Sequence, residues 1–69
     1  MTKTSALKVG SKLEWNDYDD DEPSVIVTVR STTKGYIIVE WHDKRGQLHI
    51  DSWSRIFLNR ALNVRVLSV

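Results

Sequence analysis

Short runs of β-branched and aromatic residues, separated by turn-forming segments, constrain the fold of this chain more than any other feature. Five such runs are present, at residues 13–15, 24–30, 36–41, 47–51 and 62–67. The last run alternates apolar and polar side chains at the period of a strand. Residues 32–35 and 42–46 each end in glycine between two runs, as hairpin connections do. The pattern therefore predicts five short antiparallel strands.

Residues 52–60 are the single helical candidate. Ile56, Phe57 and Leu58 are consecutive there, which favours one buried turn over a long amphipathic helix. Ser52 and Ser54 are both candidate N-caps, because a serine hydroxyl can accept from a free backbone N–H of the first turn. We expect a short 3₁₀ or α turn before the last strand.

The predicted order is a strand, a long loop, three strands connected by hairpins, a helical turn and a final strand. This is the order found in a five-stranded antiparallel SH3-like barrel. Closure would remove the unpaired edges that a small flat sheet leaves exposed. The alternative is an open OB-like barrel, which usually needs a longer chain. The apolar pattern places thirteen residues in the core: Val9, Leu13, Val25, Val27, Val29, Ile37, Val39, Leu48, Ile50, Ile56, Leu62, Val64 and Val66.

The length of 69 residues predicts one domain over residues 1–69, with residues 1–8 as a flexible N-terminal arm. The absence of cysteine excludes a disulfide and a thiolate metal site. No apolar run approaches the ~20 residues of a membrane span, and the polar N-terminus is unlike a signal peptide. We expect a cytoplasmic protein without a membrane partner.

Charge is unevenly distributed although the net charge is only +1. Residues 14–22 carry six acids and no base, whereas residues 23–69 carry seven bases and three acids. Such segregation either keeps a solvated loop soluble or organises a partner's approach or a self-contact. The sequence leaves both interpretations open.

The pattern of an enzyme or metal site is missing. His49 and Asp51 alternate with apolar neighbours, which predicts that they share the outer face of a strand as a surface pair. The acids of residues 17–22 lack the central glycine and the distal glutamate of a calcium loop. The three glycines are isolated, so they form no phosphate cradle. We expect no catalysis, no metal and no cofactor.

Five of the six aromatic residues fall near predicted strand ends or strand–loop junctions. Trp41 alternates with Ile37 and Val39, which directs it into the barrel. Two interpretations stay open. The rings either cap the core of an undersized barrel, or form a partly exposed cluster beside the acids that attracts cations on a partner.

The run from Tyr36 to Trp41, followed by Asp51, Ser52 and Trp53, resembles the chromo-barrel and Tudor-like branch of the SH3-like barrels. The resemblance implies an aromatic cage for methylated side chains, formed by Trp15 or Tyr18 together with Trp41 and Trp53. Ser52 departs from the pattern, since that branch usually has an acid before the tryptophan. Residues 47–50 are similar, more weakly, to the active-site strand of plasmid-borne SH3-like dihydrofolate reductases, but the tyrosine of that motif is absent.

Together these features predict a non-catalytic module that binds a protein through an aromatic barrel end and an acidic loop. A basic surface on that protein would complement the acidic loop. A small phage-type accessory protein or an inhibitor of a nucleic-acid enzyme fits this description. The predicted contact residues are Trp15, Asp17, Tyr18, Asp19, Asp20, Asp21, Glu22, Trp41 and Trp53.

The alternative is a nucleic-acid-binding barrel. Its contacts would be Arg30, Lys34, Lys44, Arg45 and Arg55. A pI near 8.1 lies below the level of about 9 that marks basic binding domains, and the acidic loop would repel phosphate. A small enzyme assembled by oligomerisation ranks third.

Overall fold

The computed structural model of the chain describes residues 3–69, which contain five strands and one short helix. The strands are β1 (Lys12–Asn16), β2 (Ser24–Thr32), β3 (Tyr36–His42), β4 (Leu48–Ser54) and β5 (Val64–Ser68), and the helix is α1 (Arg55–Arg60). All five predicted strands are confirmed. The helical turn is shorter than residues 52–60, because β4 continues to Ser54. None of the described helices is long and apolar enough to cross a membrane.

The strands form one antiparallel sheet in the order β4-β3-β2-β1-β5. Chain neighbours from β1 to β4 pair as hairpins, and β5 returns after α1 to pair with β1. This confirms the predicted fold class of five antiparallel strands with a helical turn before the last. The sheet is not closed, because β4 and β5 form its two edges in the part of the chain that the structure describes. It is therefore a barrel only approximately.

Helix α1 begins at a serine cap and ends after six residues. Of the two candidate caps the structure selects Ser54, whose Oγ accepts a hydrogen bond from the Phe57 N–H at 3.3 Å. The helix ends where the Ala61 N–H donates to the Leu58 carbonyl at 3.3 Å. Only Leu58 of the helix is buried. Because a helix this short shows one face to the sheet, it contributes one side chain to the core.

The core lies against the inward face of the sheet and matches much of the apolar pattern. Alternate residues of the strands are buried there, as a period of two requires. Confirmed members are Leu13, Val25, Val27, Val29, Ile37, Val39 and Val64, with Val66 packed partly buried against them.

The inward face of β4 is the opposite of the predicted one. The apolar pattern places Leu48 and Ile50 in the core, but they are 45% and 52% exposed, so this prediction is wrong. The register sets Trp53 opposite the buried Ile37 and His49 opposite the buried Trp41, which places Trp53 and His49 on the inward side of β4. A shift of one residue exchanges the two faces of a strand, and here the burial of Trp53 accompanies the exposure of the two aliphatic residues.

Three further core predictions are wrong. Val9, Ile56 and Leu62 are exposed. Val9 and Leu62 lie in turns that flank β1 and α1, and Ile56 lies on the outer side of α1. The core is completed instead by four residues outside the predicted list: Leu7, Trp41, Trp53 and Leu58.

Residues 3–8 lie against α1 and the start of β5. Thr4 and Leu7 are buried, and the Thr4 N–H donates to Asn59 Oδ1 at 2.9 Å. Lys3 Nζ donates to the Val64 carbonyl at 2.9 Å. Residues 1–2 of the predicted arm lie outside the described residues. The flexibility of the arm stays a prediction.

Candidate functional site

Two loops meet at one end of the sheet, because β1–β2 and β3–β4 connections leave an antiparallel sheet on the same side. We call residues 16–23 the acidic loop and residues 43–47 the basic hairpin loop. The Lys44 N–H donates to Glu22 Oε1 at 3.1 Å, and Lys44 Nζ lies 3.9 Å from Asp21 Oδ2. Part of the charge segregation is thus a self-contact. We refer to the two loops together as the acidic end.

The acidic loop is held by its own backbone. The Asp17 N–H donates to the Pro23 carbonyl at 2.7 Å and closes the loop at its base. Asp19 and Glu22 exchange backbone hydrogen bonds of 3.0 and 3.2 Å. Asp17 has a φ of 62°, a left-handed conformation that aspartate tolerates better than most residues. These bonds fix where the carboxylates project.

Several carboxylates of the acidic loop remain uncompensated. Asp17, Asp19 and Asp20 are exposed, and within residues 3–69 they form no ion pair. The two loops border a cleft of about 170 Å³, lined by Tyr18, Asp19, Asp21, Glu22, Asp43, Lys44 and Arg45. The cleft therefore has carboxylates on the acidic loop and two cations on the facing loop.

Four aromatic residues, Trp15, Tyr18, Trp41 and Trp53, form one cluster beneath the acidic end. Trp15 lies at its centre, with ring centroids 5.0 Å from Tyr18, 5.3 Å from Trp41 and 5.2 Å from Trp53. The interplanar angles of 72° to 89° are those of edge-to-face contacts. Such contacts place the positive edge of one ring on the negative face of the next.

The aromatic cluster is packed rather than open. Trp41 and Trp53 are each 7% exposed, whereas Trp15 and Tyr18 are partly buried. A cation must come within about 6 Å of a ring face to be bound, and an edge-to-face contact places another ring on one of those faces. The structure thus brings together the four residues that the Tudor-like resemblance implies, but packs them against one another at centroid distances of 5.0 to 6.3 Å.

Asp43 braces the basic hairpin loop and contacts the cluster through a histidine. His49 stacks on Trp41 with centroids 5.3 Å apart and rings 12° from parallel. Its Nε2 lies 2.9 Å from Asp43 Oδ2, while Asp43 Oδ1 accepts from the N–H groups of Arg45 and Gln47 at 2.9 and 3.0 Å. The hydrogen bond to His49 and, to a smaller extent, the hydrogen bond from the Gln47 N–H hold the pKa of Asp43 below its usual value. Asp43 therefore stays ionised at neutral pH.

The pairing of His49 with Asp51 is a wrong prediction. His49 lies opposite Trp41 on the inward side of β4, so it meets Asp43 at the end of β3 instead. Asp51 accepts from the N–H of its neighbour Ser52 at 2.8 Å. The sequence carries no signal for the Asp43 contact, because the contact depends on how the hairpin loop folds. No group of three or more His, Asp or Glu side chains in residues 3–69 is placed so that it could hold a metal ion.

The basic residues of the nucleic-acid alternative do not share one surface. Lys34 lies in the β2–β3 turn, whereas Lys44 and Arg45 lie at the opposite end of the sheet. Arg30 lies 4.0 Å from Glu40, and the Arg55 guanidinium donates to the carbonyls of Thr33 and Thr4 at 2.9 and 3.0 Å. Most of these cations therefore already have partners within the chain.

Comparison of the chain with protein-family models, with curated proteins and with solved structures found no match in any of the three. The chemistry of the acidic end and of the remaining surface is what indicates a function. The fold itself sets no limit on that function, because small β-folds host many unrelated activities.

Proposed function

We propose that this protein is a non-catalytic module that binds a basic protein surface at its acidic end. One observation carries the proposal. Asp17, Asp19 and Asp20 are exposed and free of ion pairs within the described residues, on a loop whose backbone bonds hold it in place. A fixed group of like charges attracts an oppositely charged partner over a distance and aligns it on approach.

The aromatic cluster lies beneath the acidic loop and contacts it through Tyr18. Tyr18 belongs to the acidic loop and packs on Trp15 and Trp41, with centroid distances of 5.0 and 6.0 Å. We infer that Trp41 and Trp53 anchor the loop to the core, while Tyr18 and the carboxylates meet the partner. A preformed loop loses less conformational entropy on binding than a mobile one.

A partner with an exposed basic surface fits this site best, and enzymes that act on nucleic acids carry such surfaces. An accessory or inhibitory role toward such an enzyme agrees with the charge of the acidic end. Direct binding of nucleic acid is the second candidate. It is less well supported, because the carboxylates would repel phosphate and the cations are divided between the two ends of the sheet.

The proposal is tested by neutralising the three exposed carboxylates that form no ion pair, as Asp17→Asn, Asp19→Asn and Asp20→Asn together. The probe is a protein that the wild-type chain retains from native lysate after nuclease treatment. We expect a slower association rate with a smaller change in dissociation. The loss should shrink at high salt, because exposed charges are screened beyond about 10 Å at 0.1 M salt.

The matched control removes three acids elsewhere, as Glu14→Gln, Glu40→Gln and Asp51→Asn. It changes net charge equally but leaves the acidic loop intact, and its exposed ion pairs contribute little to stability. Equal losses for the two triple variants would show that only net charge matters. If the loop variant instead bound oligonucleotides more tightly than the wild-type chain does and kept its affinity for the partner protein, the nucleic-acid candidate would replace this one.

A further inference from the structure

Three segments meet at the end of the sheet opposite the acidic end. They are residues 3–11, the β2–β3 turn at residues 33–35, and α1 at residues 55–60, whereas residues 61–63 lead back to the acidic end, where the Asn16 N–H donates to the Asn63 carbonyl at 2.7 Å. Arg55 joins them: its backbone N–H donates to the Gly35 carbonyl at 3.0 Å, and its guanidinium donates to the Thr33 and Thr4 carbonyls. We call this surface the helical end.

The helical end exposes large apolar side chains. Ile56 is 70% exposed and Phe57 is 58% exposed. A shallow groove lies beside them, lined by Ser54, Ile56, Phe57, Arg60 and Ala61. Single exposed apolar residues are ordinary, but a group beside a groove marks an interaction surface.

The side-chain charge of the three segments is entirely positive. The three segments contain five bases, Lys3, Lys8, Lys34, Arg55 and Arg60, and no Asp or Glu. Arg60 lines the groove itself. Arg60 and Lys34 are exposed and form no ion pair within residues 3–69. The surface thus combines an apolar centre with a cationic rim.

We propose that the helical end is a second docking surface, which binds an acidic amphipathic segment of a partner protein. An apolar side chain of that segment enters the groove beside Phe57, and a neighbouring carboxylate pairs with Arg60. Charge complementarity selects this occupant, because the rim is positive and carries no acid. A carboxylate near the guanidinium of Arg60 can form a charge-assisted pair with defined geometry.

Two other occupants fit less well. Two copies joined by two-fold symmetry would place their cationic rims against each other. In a head-to-tail contact, the acidic end of a second copy would offer carboxylates, but its two loops contain none of the exposed large apolar residues. An anionic bilayer is usually recognised by clusters of about 4–8 bases. Here Lys3 and Arg55 use their donors on backbone carbonyls, which leaves Lys8, Lys34 and Arg60.

The test uses synthetic helical peptides with leucine on one face and glutamate on the other, titrated into isotopically labelled full-length protein and followed by NMR. We expect amide shifts confined to residues 54–63. Peptides with lysine in place of glutamate, or serine in place of leucine, should bind at least about tenfold more weakly. Phe57→Ser and Arg60→Glu should each lower affinity about tenfold, which corresponds to about 1.4 kcal/mol.

The matched controls are Ile26→Ser and Arg30→Glu, an exposed apolar residue and an exposed cation on the outer face of the sheet. They should leave peptide affinity unchanged. The proposal is overturned if no peptide binds, if the lysine and glutamate peptides bind equally, or if the shifts fall on the acidic loop. It is also overturned if Phe57→Ser abolishes a concentration-dependent dimer in sedimentation, or if phosphatidylglycerol vesicles compete the acidic peptide away.

Discussion

Trp41 illustrates how the packing of one side chain in this domain depends on the residues that contact it. Its alternation with Ile37 and Val39 correctly predicts that it points inward, and its ring contacts Trp15, Tyr18, His49 and Trp53. Its indole Nε1 is buried and has no hydrogen-bond partner among the described residues. An unpaired buried donor reduces the net gain from burying the ring.

We expect Trp41→Ala to lower the free energy of unfolding by about 3–5 kcal/mol, as truncation of a buried aromatic residue does. Tyr18→Ala should cost about 1 kcal/mol, because Tyr18 is partly exposed and loses mainly its ring contacts. Trp41→Phe should cost less than Trp41→Ala, since it keeps an aromatic ring and removes the unpaired N–H. Urea denaturation followed by far-ultraviolet circular dichroism measures all three. Equal midpoints for Trp41→Ala and Tyr18→Ala would show that Trp41 does not anchor the core.

The residues of the candidate site could be predicted as a group but not in their roles. The run of acids in the sequence identified the carboxylates of residues 17–22, and proximity to predicted strand ends identified the four aromatic residues. Which rings are exposed depends on packing between β1, β3 and β4, which sequence spacing does not determine. The contact between His49 and Asp43 likewise depends on the hairpin loop, where Gly46 has a φ of 82°.

Strand β4 shows a case in which the alternation of residues along a strand does not predict which face is buried. Its even-numbered residues include Leu48 and Ile50, and its odd-numbered residues include His49 and Trp53. Both faces carry apolar side chains, so alternation alone does not choose between them. Pairing with β3 makes the choice, because it sets Trp53 beside Ile37 in the core. Strand β2 has apolar residues mainly on one face and was therefore predictable.

Helix α1 depends on its N-cap, because six residues are too few to be stable as an isolated helix. We expect Ser54→Ala to reduce the free energy of unfolding by about 1 kcal/mol, since it removes the acceptor for the Phe57 N–H. Ser52→Ala is the matched control, because Ser52 is exposed and uses its backbone N–H rather than its hydroxyl. Thermal unfolding of both variants checks this. An equal loss in the control would assign the effect to strand β4 instead of the cap.

At the scale of the whole molecule, the N-terminal segment contributes to the core. Leu7 is 7% exposed although no predicted strand or helix includes it, whereas the neighbouring Val9 is 68% exposed. The apolar pattern placed Val9, and not Leu7, in the core. The turn at residues 8–11, closed by a hydrogen bond from the Ser11 N–H to the Lys8 carbonyl at 3.0 Å, reverses that assignment.

Leu7→Ala should therefore lower the free energy of unfolding by about 2–5 kcal/mol, the range for truncating a buried leucine. Val9→Ala removes a similar amount of apolar surface from an exposed position and should change stability by less than about 0.5 kcal/mol. Chemical denaturation of the two variants provides the comparison. If Leu7→Ala matched Val9→Ala, residues 3–8 would not be part of the folded body in solution, and the flexible-arm prediction would be supported.

The three tryptophans of the chain are all in the aromatic cluster, with centroids between 5.2 and 6.3 Å apart. Indole rings this close share excitation energy, so the ultraviolet emission of the protein behaves as one chromophore located under the acidic loop. Trp53 is the neighbour of Ser54, the N-cap of α1, so this chromophore adjoins the helical end as well as the acidic loop. Intrinsic fluorescence therefore reports on events at either end, and a dye on a cysteine introduced near α1, which would have no competing thiol, separates the two.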